Sequence, residues 1–277
     1  MTSSATAQET PPGSPRDGSV TDAGTDLGLD QLEHLDLLLD EHSIRALTAT
    51  GIRHGLRCLE VGAGSGSIAR WMADRVRPDG GVVAIDLETG PFERGTATID
   101  VRRHDINNGV PGGPYDLIHA RLVLMHLPRR RQIVNELVSA LAPGGWLVLG
   151  EYLGPTLGAL EGPTEADCEL FDRVVHATIE KVGRPGGIDY GWALDVDEVM
   201  RQAGLVHLHS ERHMATTVGG TTGCLLYQNY IRQATPYLLR AEIEQEELDR
   251  FDRLMCDPRF RAWFFEFTSV RGQKPFA

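Results

Sequence analysis

Three glycines at every second position are the residues of this sequence that most directly indicate chemistry. Gly62, Gly64 and Gly66 stand directly after Leu56–Val61, which we interpret as a short buried strand, and a helical pattern begins behind them. Glycine lets the backbone turn sharply and lie against a ligand, because no side chain keeps the ligand away. A buried strand that passes through such a loop into a helix N-terminus is typical of a nucleotide-binding α/β sheet. We therefore predict that an adenosine-containing cofactor binds here.

The spacing of these glycines argues against a dinucleotide. The fingerprint G-x-G-x-x-G requires its third glycine where Ser67 stands, whereas this loop reads G-x-G-x-G behind Glu60. A second apolar run, Val82–Ile85, ends in Asp86. An acidic residue at that distance from the loop can accept hydrogen bonds from both hydroxyls of a ribose.

The loop and the motifs behind it resemble the class I S-adenosylmethionine-dependent methyltransferases. The matching segments keep the family's order: the loop, Asp86, His104–Ile106, the strand Tyr115–Ala120 running into Arg121–Pro128, and Leu141–Gly145 before the strand Trp146–Tyr152. The shared order carries the resemblance, since a glycine-rich loop alone is a weak signal. The resemblance implies a cofactor, S-adenosyl-L-methionine, held by Glu60, Gly62, Ala63, Gly64, Gly66, Asp86, Leu87, Asp105, Ile106, Ala120 and Arg121.

Alternating strand and helix patterns predict an α/β fold. We expect a Rossmann-like seven-stranded sheet with helices on both faces. The resemblance implies six parallel strands and an antiparallel seventh strand between the fifth and the sixth. Local signals add a break at Ser43 in the N-terminal helical stretch, a helix that opens at Pro128, an N-cap at Thr164 and a closing strand over Ala262–Val270.

The chain is predicted to consist of a tail and one domain. Residues 1–26 are mostly Ser, Thr, Gly, Pro and Asp, a composition typical of disorder. Residues 27–277 form the methyltransferase domain, which begins with helices over 27–50. Two insertions, 153–193 and 221–256, are expected above the carboxyl ends of the strands, where ligands of open α/β sheets bind. We take these insertions as an acceptor-binding cap, with mere covering of the sheet as the alternative.

The acceptor side offers candidates rather than a motif. A sulfonium methyl group is reactive in itself, so the protein mainly aligns the acceptor, although a hydroxyl or ammonium acceptor must also lose a proton to a base. His126 follows the fourth strand, and Tyr152 ends the fifth, which makes both candidate catalytic residues. A structural role in the next helix is an equally good interpretation of His126. Further candidates by position are Glu151, His176, Asp189, Tyr190 and Trp192.

Composition limits the partners. The formal net charge of -12 disfavours nucleic acid. The four cysteines are widely spaced, which predicts free thiols in a reducing compartment and no zinc site. No apolar run reaches the ~20 residues of a membrane helix, and no basic-then-apolar signal pattern opens the chain. We expect a cytoplasmic protein without a metal site that acts on a small molecule and not on nucleic acid or a membrane. A homodimer is left open.

These expectations together predict an enzyme. It would transfer a methyl group from S-adenosyl-L-methionine to an oxygen or nitrogen of a small molecule, a secondary metabolite of the kind met in antibiotic biosynthesis. Three other functions stay open: a rearrangement or cyclisation that uses the same cofactor without methyl transfer, a non-catalytic cofactor-binding protein, and a nicotinamide oxidoreductase, against which Ser67 counts. The fold alone does not decide among them.

Overall fold

The computed structural model describes residues 24–92, 99–154 and 158–276. Most of the predicted tail, residues 1–23, lies outside the described residues. The elements follow in the order α1 (Asp26–Thr48), β1 (Arg57–Val61), α2 (Ser67–Val76), β2 (Gly81–Asp86), β3 (Ile99–Arg103), β4 (Tyr115–Arg121), α3 (Arg130–Ser139), β5 (Leu141–Leu153), β6 (Ala159–Glu161), α4 (Glu165–Thr178), α5 (Trp192–Gln202), β7 (Val206–His213), β8 (Thr216–Val218), α6 (Thr222–Arg240), α7 (Gln245–Leu254), β9 (Arg261–Trp263) and β10 (Glu266–Gln273).

Seven strands form one sheet in the order β3-β2-β1-β4-β5-β10-β7. Neighbours from β3 to β5 pair in parallel, and β10 runs antiparallel to both β5 and β7. Six strands thus share one direction and the reversed seventh lies between two of them, which confirms the predicted fold class. Both faces are covered: Val83 and Ile85 of β2 pack into one apolar cluster, and Val82 and Ala84 into the other. Burial on both faces explains why these strands are continuous apolar runs.

The turn from β1 into α2 requires glycine for two reasons. Gly62, Gly64 and Gly66 all have positive φ, between +52° and +82°, a region that side-chain-bearing residues rarely adopt. Space is also lacking, because a Cβ at Gly62 would overlap Val123, and a Cβ at Gly66 would overlap the ring of Phe92. The loop is therefore packed against Val123 and Phe92, and the backbone of Gly62 and Gly64 has no side chain to cover it.

Three local predictions were wrong. α1 runs without a break through Ser43, since that residue faces the core and packing outweighs the small helix penalty of one serine. Pro128 does not open a helix. It lies between a short 3₁₀ turn, Leu124–His126, and α3, which begins at Arg130. The closing strand is split into β9 and β10.

The reason for that split is a second sheet, which the sequence did not indicate. β9 pairs with β6 and β8 instead of continuing beside β5, as Ala262 lies opposite Ala159 and Thr217. The expected N-cap is present, since the Thr164 hydroxyl accepts a hydrogen bond from the Asp167 N–H at 3.2 Å.

The helices of the two insertions pack on one another and on α1. The Phe171 ring on α4 lies 5.1 Å from Tyr227 of α6 and 5.8 Å from Phe251 of α7, measured between ring centroids. α1 is joined to α6 by a hydrogen bond of 2.9 Å from the Asn229 side chain to the Leu27 carbonyl. In the part of the chain that the structure describes, no helix is both long and apolar enough to cross a bilayer.

The crowding at Gly66 leads to a stability prediction. We expect Gly66→Ala to lower the free energy of unfolding by roughly 2–5 kcal/mol, because it adds the cost of a left-handed residue to that of overpacking against Phe92. Gly55→Ala is the matched control, since Gly55 has φ +83° but open space around the added methyl group. The control should lose only roughly 1–2 kcal/mol in denaturant titrations. Equal losses in the two variants would show that Phe92 does not confine the loop.

Candidate active site

A cavity of about 370 Å³ opens at the carboxyl ends of β1, β2 and β4. The glycine loop and α1 line one end, and α4, α6 and the segment before α5 line the other. Most of the predicted site residues lie along it: Glu60, Gly62, Ala63, Gly64, Asp86, Leu87, Asp105, Ile106, Arg121, His126 and Tyr152. Gly66 and Ala120 do not belong to the lining, because Gly66 is the N-cap of α2 and lies against the Phe92 ring, and Ala120 is buried within the sheet.

Two carboxylates are fixed in the wall near the glycine loop. One oxygen of Asp86 accepts a hydrogen bond from the Gly64 N–H at 2.9 Å, and the other accepts from the Glu88 N–H at 3.0 Å. Asp105 caps the short turn behind β3 and accepts from the Asn107 N–H at 2.8 Å. A carboxylate oxygen has more than one lone pair, so both side chains can still accept hydrogen bonds from a ligand in the cavity.

The carboxylate of Glu60 is already engaged inside the protein. Both of its oxygens lie within hydrogen-bond distance of Nδ1 of His119 on β4, at 2.9 and 2.8 Å, and both side chains are buried. A buried carboxylate requires such a partner. Glu60 therefore joins β1 to β4 beneath the loop. Both of its carboxylate oxygens are already within hydrogen-bond distance of His119.

A polar network, here called the α1 bridge, closes α1 over the glycine loop. Arg121 donates to Asp40 at 2.7 Å and to Asp36 at 3.0 Å, and Ser65 and Ser67 donate to the same carboxylates. Burial raises the pKa of Asp36, while the hydrogen bond from Ser65 opposes that shift. The side chain of Arg121 thus turns to α1, which leaves only its backbone and stem beside the cavity.

His126 and Tyr152 also line the cavity, each at the end of a strand or just beyond it. Burial, aided by the charge of Arg130, lowers the pKa of His126 to about 4, so its imidazole is neutral at neutral pH. Burial also raises the pKa of Tyr152 well above its ordinary value. In the described residues neither Nδ1 of His126 nor the Tyr152 hydroxyl has a hydrogen-bond partner.

The turn that carries His126 is held from three sides. Glu151 does not line the cavity; its carboxyl group accepts a hydrogen bond from the Leu124 N–H at 3.0 Å. Arg130 donates to the carbonyls of Leu124 at 3.1 Å and Met125 at 3.3 Å, and it pairs with the Asp189 carboxylate. The Asp189 N–H donates to the Met125 carbonyl at 2.9 Å. Glu151 and Asp189 therefore position the turn and are not free to act on an acceptor.

Of the remaining candidates for the acceptor side, one lines the cavity and two do not. Tyr190 lines the cavity, whereas His176 and Trp192 do not. Sequence reasoning missed several lining residues: Asp36, Ser65, Ser67, Tyr227, Tyr230 and Phe265. Two local signals were available, the acidic pair Asp36 and Asp40 one helical turn apart, and the pair Tyr227 and Tyr230 at a spacing of three. Neither signal points to a ligand until the fold places these helices above the sheet.

Known proteins share both sequence and fold with this chain. The sequence profile of a methyltransferase domain family matches residues 14–213. Methyltransferase str2 of Strobilurus tenacellus is 36% identical over 109 residues, which is 38% of this chain and 38% of that protein. Nocamycin O-methyltransferase of Saccharothrix syringae is 27% identical over 180 residues, covering 59% of this chain and 64% of that protein.

A solved structure supports the fold. Phosphoethanolamine N-methyltransferase 2 of Haemonchus contortus superposes with a TM-score of 0.54 over 90% of this chain and 58% of that one. The two sequences are 15% identical, so this likeness concerns the fold alone. The match to str2 spans under two fifths of that protein's length.

Glu151 leads to a prediction about pH. Complete burial raises its pKa from 4.5 to about 8. Between these values the folded protein retains a proton that the unfolded chain has released, so stability falls as the pH rises from about 4.5 to about 8. Glu151→Gln keeps an oxygen for the Leu124 N–H but cannot ionise. The free energy of unfolding of the variant, relative to that of the unchanged protein, should therefore rise by on the order of 2–4 kcal/mol as the pH rises across this range.

Denaturant titrations at about pH 5 and about pH 8 measure this difference. The exposed Glu161→Gln serves as the control and should stay parallel to the unchanged protein. A Glu151→Gln variant that also runs parallel would show that Glu151 titrates normally in the fold.

Proposed function

This chain belongs to the methyltransferase domain family, and from that premise we propose that it transfers a methyl group from S-adenosyl-L-methionine to an oxygen or nitrogen of a small molecule of secondary metabolism. One observation carries the proposal. A single cavity joins the glycine loop and two fixed carboxylates at one end to His126 and an apolar cap at the other. A donor and an acceptor placed in such a cavity are neighbours, which is what a transfer between two bound molecules requires.

The residues at the loop end fit the proposed cofactor. Asp86 would accept hydrogen bonds from the ribose hydroxyls, and its two backbone partners hold the carboxylate in position for them. Asp105 and Ile106 would bind the adenine, and the bare backbone of Gly62 and Gly64 would be available to the methionine portion. S-adenosyl-L-methionine, when bound, supplies a methyl group that its sulfonium makes electrophilic.

The α1 bridge fixes α1 beside this end of the cavity. Arg121 joins the end of β4 to Asp36 and Asp40 of α1, and Ser65 and Ser67 join the same carboxylates to the loop and to α2.

His126 is the proposed base. Its imidazole is neutral above about pH 4 and therefore has a lone pair for the proton that the acceptor gives up. Glu151 and Arg130 hold the turn in place, which fixes the ring at the cavity wall. The methylation at oxygen that names the nocamycin relative supports an oxygen acceptor.

Cofactor binding is the first test. We expect calorimetry to show micromolar binding of S-adenosylmethionine and S-adenosylhomocysteine and none of NAD. Asp86→Asn should weaken the binding of both sulfur nucleotides roughly tenfold to hundredfold, because a hydrogen bond to a charged acceptor is lost. Asp79→Asn, an exposed residue outside the cavity, is the control and should bind normally. A folded protein that binds neither sulfur nucleotide would refute the proposed function.

A further inference from the structure

Four tyrosines line the acceptor end of the cavity. Tyr152 comes from β5, Tyr190 from the segment before α5, and Tyr227 and Tyr230 from α6, with Phe265 also in the lining. Most of the lining residues that accompany them are aliphatic, among them Val175, Ile179, Val182 and Ile231. His126 provides the imidazole. The charged residues of the lining are Asp36, Glu60, Asp86, Glu88, Asp105 and Arg121. Of these, Arg121 is close enough to Tyr152 for its charge to oppose the rise in that tyrosine's pKa.

The tyrosine hydroxyls stay neutral. Burial raises the pKa of Tyr190 to about 12 and the pKa values of Tyr152, Tyr227 and Tyr230 further above the ordinary value. Each hydroxyl can therefore donate as well as accept a hydrogen bond. The Tyr227 hydroxyl donates to the Trp263 carbonyl at 3.3 Å, whereas the buried Tyr152 hydroxyl lacks a partner among the described residues. A polar atom of a bound molecule would satisfy it once a neighbouring side chain moved aside, because the oxygen itself exposes almost no surface.

A cationic acceptor does not suit this end. Aromatic residues bind ammonium groups through open ring faces. Here the Phe265 ring stacks on Tyr152 at 5.2 Å and lies against Tyr227 at 5.3 Å, so these faces are turned toward each other. The nearby carboxylate of Glu151 does not line the cavity and is bound to the Leu124 N–H. An ammonium group would thus lack a counter-charge.

An anionic acceptor is disfavoured because the nearby arginines are already paired with carboxylates. Arg121 is paired with Asp36 and Asp40, and Arg130 is paired with Asp189. A carboxylate buried among tyrosines without a cation would pay its desolvation cost without compensation. The end therefore suits a neutral, largely apolar molecule with at least one polar atom.

We propose that the acceptor is a neutral aromatic compound with a phenolic hydroxyl, which inserts among Tyr152, Tyr190 and Tyr230 and presents its oxygen to His126. The inference rests on the proposed function. In the transfer the phenolic oxygen forms a bond to the methyl carbon. The bond between that carbon and the sulfonium sulfur breaks with its electron pair left on sulfur, and the hydroxyl proton passes to the imidazole. A phenol is acidic enough for a weak base to assist, unlike an aliphatic alcohol.

Three probes of one shape test the charge requirement. 4-Ethylphenol, tyramine and 4-hydroxyphenylacetate share a phenol and differ in being neutral, cationic and anionic at neutral pH. Binding is measured by calorimetry on the full chain saturated with S-adenosylhomocysteine, so that no turnover occurs. We expect 4-ethylphenol to bind at least tenfold more tightly than either charged probe. Equal or tighter binding of a charged probe, or no binding of any of the three, would overturn the inference.

Tyr152→Phe tests the orphan hydroxyl. We expect this variant to bind 4-ethylphenol roughly threefold to tenfold more weakly, the effect of one neutral hydrogen bond, with unchanged binding of S-adenosylhomocysteine. Tyr237→Phe is the matched control on α6, since Tyr237 lies outside the cavity lining, and it should leave both affinities unchanged. Unchanged phenol binding in Tyr152→Phe would contradict the assigned hydrogen bond.

These measurements distinguish a failure of the proposed function from a failure of the proposed acceptor class. If S-adenosylhomocysteine itself fails to bind, the proposed function fails. If it binds but the neutral phenol has no advantage, only the acceptor class is wrong. With labelled S-adenosylmethionine, 4-ethylphenol should yield its methyl ether, and His126→Gln should slow that reaction roughly 10²–10⁴-fold, measured with 4-ethylphenol at saturation so that any change in its affinity does not enter the rate. A normal rate in His126→Gln would exclude His126 as the base.

Discussion

A guanidinium group with little access to solvent, at the carboxyl end of the central strand β4, is the constraint on which the site depends. Arg121 exposes only 11% of its side chain, and a charge so placed has to be paired. Its partners are Asp36 and Asp40, one turn apart on α1, and the same two carboxylates accept from Ser65 and Ser67 of the loop and α2. Satisfying one buried charge therefore fixes the N-terminal helix over the glycine loop and gives the cavity its cover.

The turn that carries His126 is likewise held by a paired arginine. Arg130 begins α3 and is paired with Asp189 from the first insertion, while both donate to carbonyls of the turn that carries His126. Glu151 holds the N–H side of that turn from within the sheet. The insertion, the turn and the sheet are thus joined by hydrogen bonds around the residue that carries the imidazole.

The two ends differ in electrostatic character, and this difference divides their tasks. Ionised groups in the wall lie near the loop, where fixed carboxylates suit the hydroxyls of a nucleoside. Neutral hydroxyls and rings make up the cap end, where burial keeps the tyrosines protonated and the histidine uncharged. Under the proposed function, this difference in charge would direct the polar cofactor and a neutral acceptor to different parts of one cavity.

Local chemistry allowed the sequence to determine one half of the site. The alternation of glycines after a buried strand, Asp86 at a strand end and the repeated strand–helix pattern are all short-range features, and they predict the sheet, its carboxyl edge and the loop facing a ligand. The sequence did not determine the partners of Arg121, which lie 81 and 85 residues away, or the pairing of Glu60 with His119 across 59 residues. It gave no reason for β9 to leave the main sheet, since that choice depends on β6 and β8. The tyrosine-lined end likewise exists only after separate segments pack above the strands. Residue type and spacing specify which groups can do chemistry, whereas only tertiary packing decides which of them are paired, desolvated or left free to act.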